Sequence, residues 1–468
     1  MRYRTERDTL GEVRVPHQAY YGAQTQRAVE NFPVSGLRLT AAFVRAQAII
    51  KSAAAKANMA AGALDKKVGE ALVTAAEEIM AGKFATQFVV DVFQAGAGTS
   101  QNMNVNEVLA NRASELLGGQ RGVYDRVHPN DHANMAQSTN DTIHAAIHIA
   151  AVCEIHDRLL PAAVRLTHAL EAKSREFDHV IKAGRTHLQD AAPVRLGQEF
   201  GAYASMVRLG QRRIAAACDG LKPLCIGGTA VGTGLNTDPN YRKRVLSHIN
   251  AATRHAFTSA ENLFEAMQSI DAVVEMAGAL RVLVTSLLKI ADDLRLLGSG
   301  PRTGLAEIRL PAVQPGSSIM PGKVNPVLAE MLNMVCFHCL GCDAAIVSAA
   351  QAGQLELNVM MPVIAYNLLQ EIAILAGGVE AFTARCVEGI EVNEEACRAS
   401  AERSLALATA LSPAIGYEKA AKLAQEALET GTPVRELTRA KKLLDEDRLN
   451  RLLDLRRMTE DPADTDRT

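Results

Sequence analysis

Several polar stretches of this sequence repeat one short inventory of side chains. Thr99, Ser100, Asn102 and Asn104 fall in "AGAGTSQNMN", and Ser138, Thr139 and Asn140 in "QSTND". Thr186 and His187 share "KAGRTHLQD", while Ser317, Ser318, Lys323 and Asn325 share "QPGSSIMPGKVNP", residues 314–326. Hydroxyls, amides, one lysine and one histidine suit the fixing of carboxylates through neutral and charge-assisted hydrogen bonds. Hydrolysis at a metal would instead need clustered Asp, Glu or His ligands. Taken singly, the serines and threonines are ordinary helix N-caps, His187 a loop histidine and Lys323 a solvated cation. Matching chemistry in separate loops points to a site for a small diacid. The 314–326 segment has three prolines, two glycines and a lysine with no charge partner in it. It is expected to act as a mobile lid that brings hydroxyl and cation to the bound diacid.

Long helices must position these loops. Ala, Leu, Glu, Lys and Met abound and Trp is absent, which favours helix throughout. Residues 261–297 run for 37 positions with one Gly and no Pro, a rod of about 55 Å if it forms one helix. Similar patterns cover 142–178, 327–350 and 363–386. Apolar residues occupy much of the circumference, more than one stripe facing one core requires, so burial against other subunits is expected. After about residue 390 the helices become shorter and more charged, and the chain ends in the polar "EDPADTDRT". Boundaries near 140 and 390 therefore divide the chain into 1–140, 141–390 and 391–468.

Composition narrows the class. A chain of 468 residues exceeds one compact core, and a net charge of −2 argues against a nucleic-acid or polybasic membrane surface. The charged N-terminus has no apolar secretory region, and apolar runs are broken by charge or Pro before about 18 residues. A cytoplasmic protein is expected. The eight cysteines do not form a disulfide framework. Cys336, Cys339 and Cys342 in "CFHCLGC" share a helix face that His338 does not, and are expected to pack as small apolar groups. "GTAVGTG" fits neither phosphate-binding glycine pattern.

"GSSIMPGKVNP" resembles the signature of the aspartase/fumarase superfamily, GSSxMPxKxNP, and the similarity runs from "LGEVRVPHQAYYGAQTQRAVENF" to "GYEKAAKLAQEALETG". The resemblance implies a mainly α, three-domain fold whose long central bundle is shared in a homotetramer, each active site drawing on three subunits. Within the superfamily, Tyr21, "AGAGTSQNMN", "QSTND" and "GQLELNVM" resemble aspartate ammonia-lyases more than class II fumarases. "RVHPND", Arg126–Asp131, instead resembles the outer dicarboxylate site of fumarases, and the pair His187 and Glu330 resembles their catalytic pair.

The activity so implied is reversible anti elimination of ammonia from L-aspartate to give fumarate. Ser317 would be the general base, Lys323 the nearby charge, and Glu330 would orient His187. Thr99, Ser138, Thr139 and Ser318 would hold the β-carboxylate; Thr186, Lys323 and Asn325 the α-carboxylate; Asn140 and His187 the amino group. No organic cofactor is implied, and there is room for an activating divalent cation. Two departures from the aspartase pattern, Ile143-His144 in place of Phe-Pro and Met361 in place of Glu, leave open a different amine, as in an ergothionase-like lyase. A class II fumarase is a further alternative, and a structural homologue without activity is disfavoured because the site residues are all present.

Overall fold

The computed structural model describes residues 2–460; the polar tail beyond Glu460 lies outside them. The described chain is mainly α, with four small two-stranded sheets. Its residues cluster into two compact units: 1–161 with 210–284 and 335–376, and 162–209 with 285–334 and 377–468.

In the first unit the helices Ala41–Ala60, Lys66–Met80 and Thr99–Leu116 pack around Val44, Leu72, Ala75, Val105, Val108 and Leu109, all buried. Asp65 and Thr40 cap two of these helices through their side-chain oxygens, satisfying amides that would otherwise lack partners. The second unit carries the hairpin Ile181–Thr186 with Gln189–Arg195 and the short C-terminal helices from Glu394 onward. Those helices close their own apolar cluster of Leu407, Leu411, Leu423, Val434, Leu449 and Leu453.

Two of the four long helical patterns match closely, as Val327–Ala350 and Met361–Arg385. The other two are interrupted. Residues 261–297 divide into Leu263–Gln268 and Asp271–Leu297. Asn262 caps the first piece, Ser269 turns extended, and its Oγ accepts from the Asp271 amide at 3.1 Å to start the second. Residues 142–178 form Thr139–Glu154 and Leu160–Glu176 joined by a π turn at Ile155–Leu159. Pro161 is the second residue after that turn. A proline there donates no amide hydrogen bond and crowds the carbonyl four residues earlier, and a local widening of the helix relieves both.

The helices Val327–Ala350 and Met361–Gly389 are long and apolar enough to cross a membrane by length and composition. Neither is an unbroken apolar run: Glu330 and Asp343 interrupt the first, Pro362 and Glu371 the second. In Met361–Gly389 most of the apolar window is buried in the protein itself. In Val327–Ala350, Phe337, Gly341, Ala344 and Val347 form an exposed, uncharged stripe.

Candidate active site

The first unit gathers Thr99, Ser138, Thr139 and Asn140 around the start of the helix Thr139–Glu154. Ser138 is the N-cap: its Oγ accepts from the Asn140 amide at 3.2 Å, and its own amide donates to Asp141 Oδ1 at 3.0 Å. This reciprocal box follows from Ser-x-x-Asp spacing. The second oxygen of Asp141 accepts from the amides of Gly227 and Thr229 at 2.9 and 3.1 Å. One buried carboxylate thus ties the "IGGT" loop to the helix start. Burial raises its pKa to about 6, against the lowering effect of those amides and of Lys51.

Asn140 Nδ2 donates to the Ala230 carbonyl at 2.8 Å. A carbonyl only accepts, so the amide nitrogen must face Ala230 and Oδ1 is left for another partner. Thr139 Oγ1 accepts from Asn102 Nδ2 at 3.1 Å, one turn into the helix Thr99–Leu116. Thr99 is exposed at the start of that helix, after Gly98 at φ +83°. A Cβ on Gly98 would stand 3.1 Å from the buried Ile143 side chain, so the turn rests directly on Ile143.

The two departures from the family pattern are core residues. His144 is buried, hydrogen-bonded through Nε2 to the Ser269 carbonyl at 3.0 Å, and its ring lies 4.6 Å from that of His148. Burial lowers its pKa, and that of His148 to about 3. Met361 is fully buried at the start of its helix. The preceding backbone, not the Met361 side chain, meets the Thr99 turn: Ala97 N donates to Val359 O at 2.8 Å.

The second unit holds the remaining candidates. Thr186 pairs with Gln189 across a turn in which His187 and Leu188 have φ of +55° and +58°. Such turns normally take Asn-Gly, and a branched residue there is strained. The strands below fix it. Lys182 and Arg185 both bind the fully buried Glu307, at 3.1 and 2.9 Å, and Ser400 Oγ donates to the same carboxylate at 3.0 Å. Thr186 and His187 project from this hairpin into exposed positions.

In the 314–326 segment Ser317 Oγ accepts from the amides of Ile319 and Met320 at 3.2 and 3.0 Å. Gly316 crosses the returning chain so closely that an added Cβ would lie 1.6 Å from the Lys323 carbonyl oxygen. Only glycine fits that crossing. Ser318 and Lys323 are exposed and Asn325 is half-buried. Glu330 lies in the first turn of Val327–Ala350; among the described residues no hydrogen bond joins it to His187 within one chain.

Arg126–Asp131 form a turn in which His128 Nδ1 takes the amides of Asn130 and Asp131, at 3.3 and 3.2 Å. Among the described residues no group of three or more His, Cys, Asp or Glu could hold a metal ion. Cys336, Cys339 and Cys342 are buried. Spacing alone had not singled out Asp141, Glu307 or Lys51. The first follows from the capping box; the other two take their importance from burial.

Arranged this way, the chain offers outward hydroxyl and amide donors, an acceptor amide oxygen, and a serine whose oxygen is held by two backbone amides. Comparison with known proteins agrees. A family described as "Lyase" matches residues 11–341, and one described as "Fumarase C C-terminus" matches 407–460. The chain is 49% identical to an aspartate ammonia-lyase of a Bacillus species over 456 residues, 97% of each chain. It is 52% identical to a class II fumarate hydratase of Halobacterium salinarum over 458 residues, 98% of this chain and 97% of that protein. Among solved structures, a fumarate lyase:delta crystallin from Brucella melitensis bound to cobalt superposes with a TM-score of 0.94 at 47% identity, covering 98% of this chain and all of that one. The chain is an enzyme of the lyase class and belongs to the aspartase/fumarase superfamily.

Proposed function

We propose that this protein is an aspartate ammonia-lyase. The observation that carries the reading is the pair of amides on Ser317 Oγ. A serine hydroxyl is a feeble base, and donors aimed at its oxygen favour the alkoxide. The alkoxide removes a proton from the carbon next to the β-carboxylate, and that group becomes an aci-carboxylate with two negative charges. Thr99, Ser138, Thr139 and Ser318 donate where this charge develops. Thr186, Lys323 and Asn325 hold the other carboxylate. The C–N bond then breaks and ammonia leaves. His187, oriented by Glu330, and Asn140 hold the amino group. The free Asn140 Oδ1 can accept from the ammonium of aspartate, which offers only donors.

Near-equal identity to aspartate ammonia-lyases and class II fumarate hydratases keeps hydration of fumarate as the second reading. Burial of Ile143, His144 and Met361 argues against an ergothionase-like reading, since none of the three reaches solvent. We further infer a cytoplasmic homotetramer with three subunits contributing to each site, in the 1–140, 141–390 and 391–468 organisation. The exposed stripe at Phe337, Gly341, Ala344 and Val347 supports it, because close helix packing would cover it. Fumarate absorbs in the ultraviolet, so L-aspartate and L-malate in parallel cuvettes test the reading. Absorbance is expected to rise with aspartate; a rise with malate alone would turn the assignment to fumarase.

A further inference from the structure

Beneath Thr139 lies a chain of buried hydrogen bonds that begins at a lysine. Lys51, in the helix Ala41–Ala60, is 3% exposed, and its Nζ donates to Asn134 Oδ1 at 2.9 Å. The same Oδ1 accepts from Asn102 Nδ2 at 3.2 Å and from Asn106 Nδ2 at 3.1 Å. Asn102 Nδ2 also donates to Thr139 Oγ1.

Two contacts set the order of these bonds: Lys51 on Asn134 Oδ1 at 2.9 Å and, more weakly, the Gln137 carbonyl, which accepts from Asn134 Nδ2 at 3.3 Å. An amide side chain can be turned over, exchanging its oxygen and nitrogen at little steric cost. An ammonium can only donate. Burial lowers the Lys51 pKa to about 7 against the charge of Asp141, and while it keeps its proton Lys51 requires the oxygen of Asn134 to face it. That oxygen in turn requires nitrogen from Asn102, and Asn102 then gives its second N–H to Thr139 Oγ1. With a donor already on its oxygen, the Thr139 hydroxyl has its own proton left to give. Asn102 Oδ1 is buried and meets no donor among the described residues, so no second contact holds this amide the right way round.

We propose that Lys51 is a positioning residue that, through Asn134 and Asn102, keeps the Thr139 hydroxyl a donor to the substrate carboxylate. The inference rests on the role given to Thr139 above, and it holds whether the amine or the alcohol is eliminated. Without the ammonium, only the longer Gln137 contact still holds Asn134, and Asn134 and Asn102 turn over together more readily. Thr139 then donates to Asn102 Oδ1, and its proton is lost to the carboxylate. Asp141 is the charged group facing Lys51, from the neighbouring helix start, and its three amide bonds do not depend on the relay.

The test compares Lys51→Met, which keeps most of the stem, with Lys51→Arg, an obligate donor. Both are measured in parent and Thr139→Ala backgrounds. Lys51→Met is expected to lower kcat about 10–100-fold with KM changed less than about threefold, as for a donor acting where charge develops. Lys51→Arg is expected to recover most of that loss. In Thr139→Ala, Lys51→Met should cost less than about twofold more, since the relay then has no hydroxyl to orient. Additive losses in the double variant would overturn the relay. So would a Lys51→Arg enzyme as slow as Lys51→Met, or a change confined to melting temperature. The rates are taken with the substrate the parent turns over, L-aspartate or L-malate. A parent active only on malate would end the ammonia-lyase reading and leave the relay to be judged by the same four proteins.

Discussion

The two polar regions to which we assign the chemistry are built in opposite ways. Around Ser138–Asn140 the orientations are fixed by partners distant in sequence or by the capping box: Asp141 by three amides, Thr139 by the buried Asn102, and Asn140 by the carbonyl of the exposed Ala230. Residues 314–326 are mostly exposed and are held by their own short-range bonds, such as Lys323 N to Met320 O at 3.2 Å. Donors that meet developing charge gain from being fixed before the reaction starts. A base that must approach a substrate and then release a product is better placed on a segment of low local stability. The difference suits the division of labour we propose, between a fixed receiver and a moving lid.

The sharpest way to break that comparison is Ser317→Ala. It should lower kcat by about 10³-fold or more while shifting the melting temperature by no more than about 1–2 °C, because only a loop hydroxyl is lost. Turnover near the parental rate would remove Ser317 from the role of base. Gly316→Ala tests the loop's geometry. The new methyl meets the Lys323 carbonyl, so the crossing must open. We expect about a 100-fold loss in kcat with little loss of stability, since misplacing a reacting group by about 1 Å costs that much. A parallel fall in melting temperature would mean the segment is more rigid than its exposure implies.

The same contrast explains what could be seen from the sequence. The close-crossing loop at 314–326 was legible because its determinants are local: glycine at the crossing, prolines and adjacent serines. The helix start at Ser138 was legible for the same reason, although Asp141, which completes the box, was not singled out. The receiver's other supports were not. Lys51 lies in "AIIKSAAAKAN", where a lysine on a helix normally reaches solvent, and tertiary packing alone buries it. The break at Ser269 has no Gly or Pro to announce it, and the π turn before Pro161 is the helix's response to a residue whose effect depends on its neighbours. His187 and Leu188 carry none of the usual signals for a two-residue hairpin turn. The long helices and the mainly α class were legible from periodicity, and the matched family confirms the superfamily.

A third prediction concerns pH and belongs to the rigid region. His148 is neutral in the folded protein, with its pKa held at about 3 by burial and by the neighbouring His144. The unfolded chain takes up that proton near pH 6.5. Stability from this group is therefore present above about pH 6.5 and is lost as pH falls toward 3, because the unfolded state then binds the extra proton. Between pH 7 and pH 5 the loss should be about 2 kcal/mol. Urea melts across that range should show it, and His148→Gln, which keeps a donor for the Leu221 carbonyl, should flatten it. A parental slope unchanged in the variant would place the acid sensitivity elsewhere.

The smallest effect is expected where the sequence looked most unusual. Ile143→Phe with His144→Pro restores the family's ordinary pair. Both native side chains are buried: one under the Thr99 turn, the other on the Ser269 carbonyl. Neither offers a polar atom to the substrate. If they are packing residues, kcat/KM for L-aspartate should change by less than about threefold, and the order of preference among aspartate, malate and bulkier amines should stay the same. Stability should fall by about 3 kcal/mol or more, because proline at 144 loses a helical amide bond and crowds the Asn140 carbonyl, a larger ring must be accommodated below Gly98, and the His144–Ser269 bond is lost. A change of preferred substrate without that loss would mean that Ile143 shapes the site through the turn it supports. The rigid region would then hold the specificity as well as the charge.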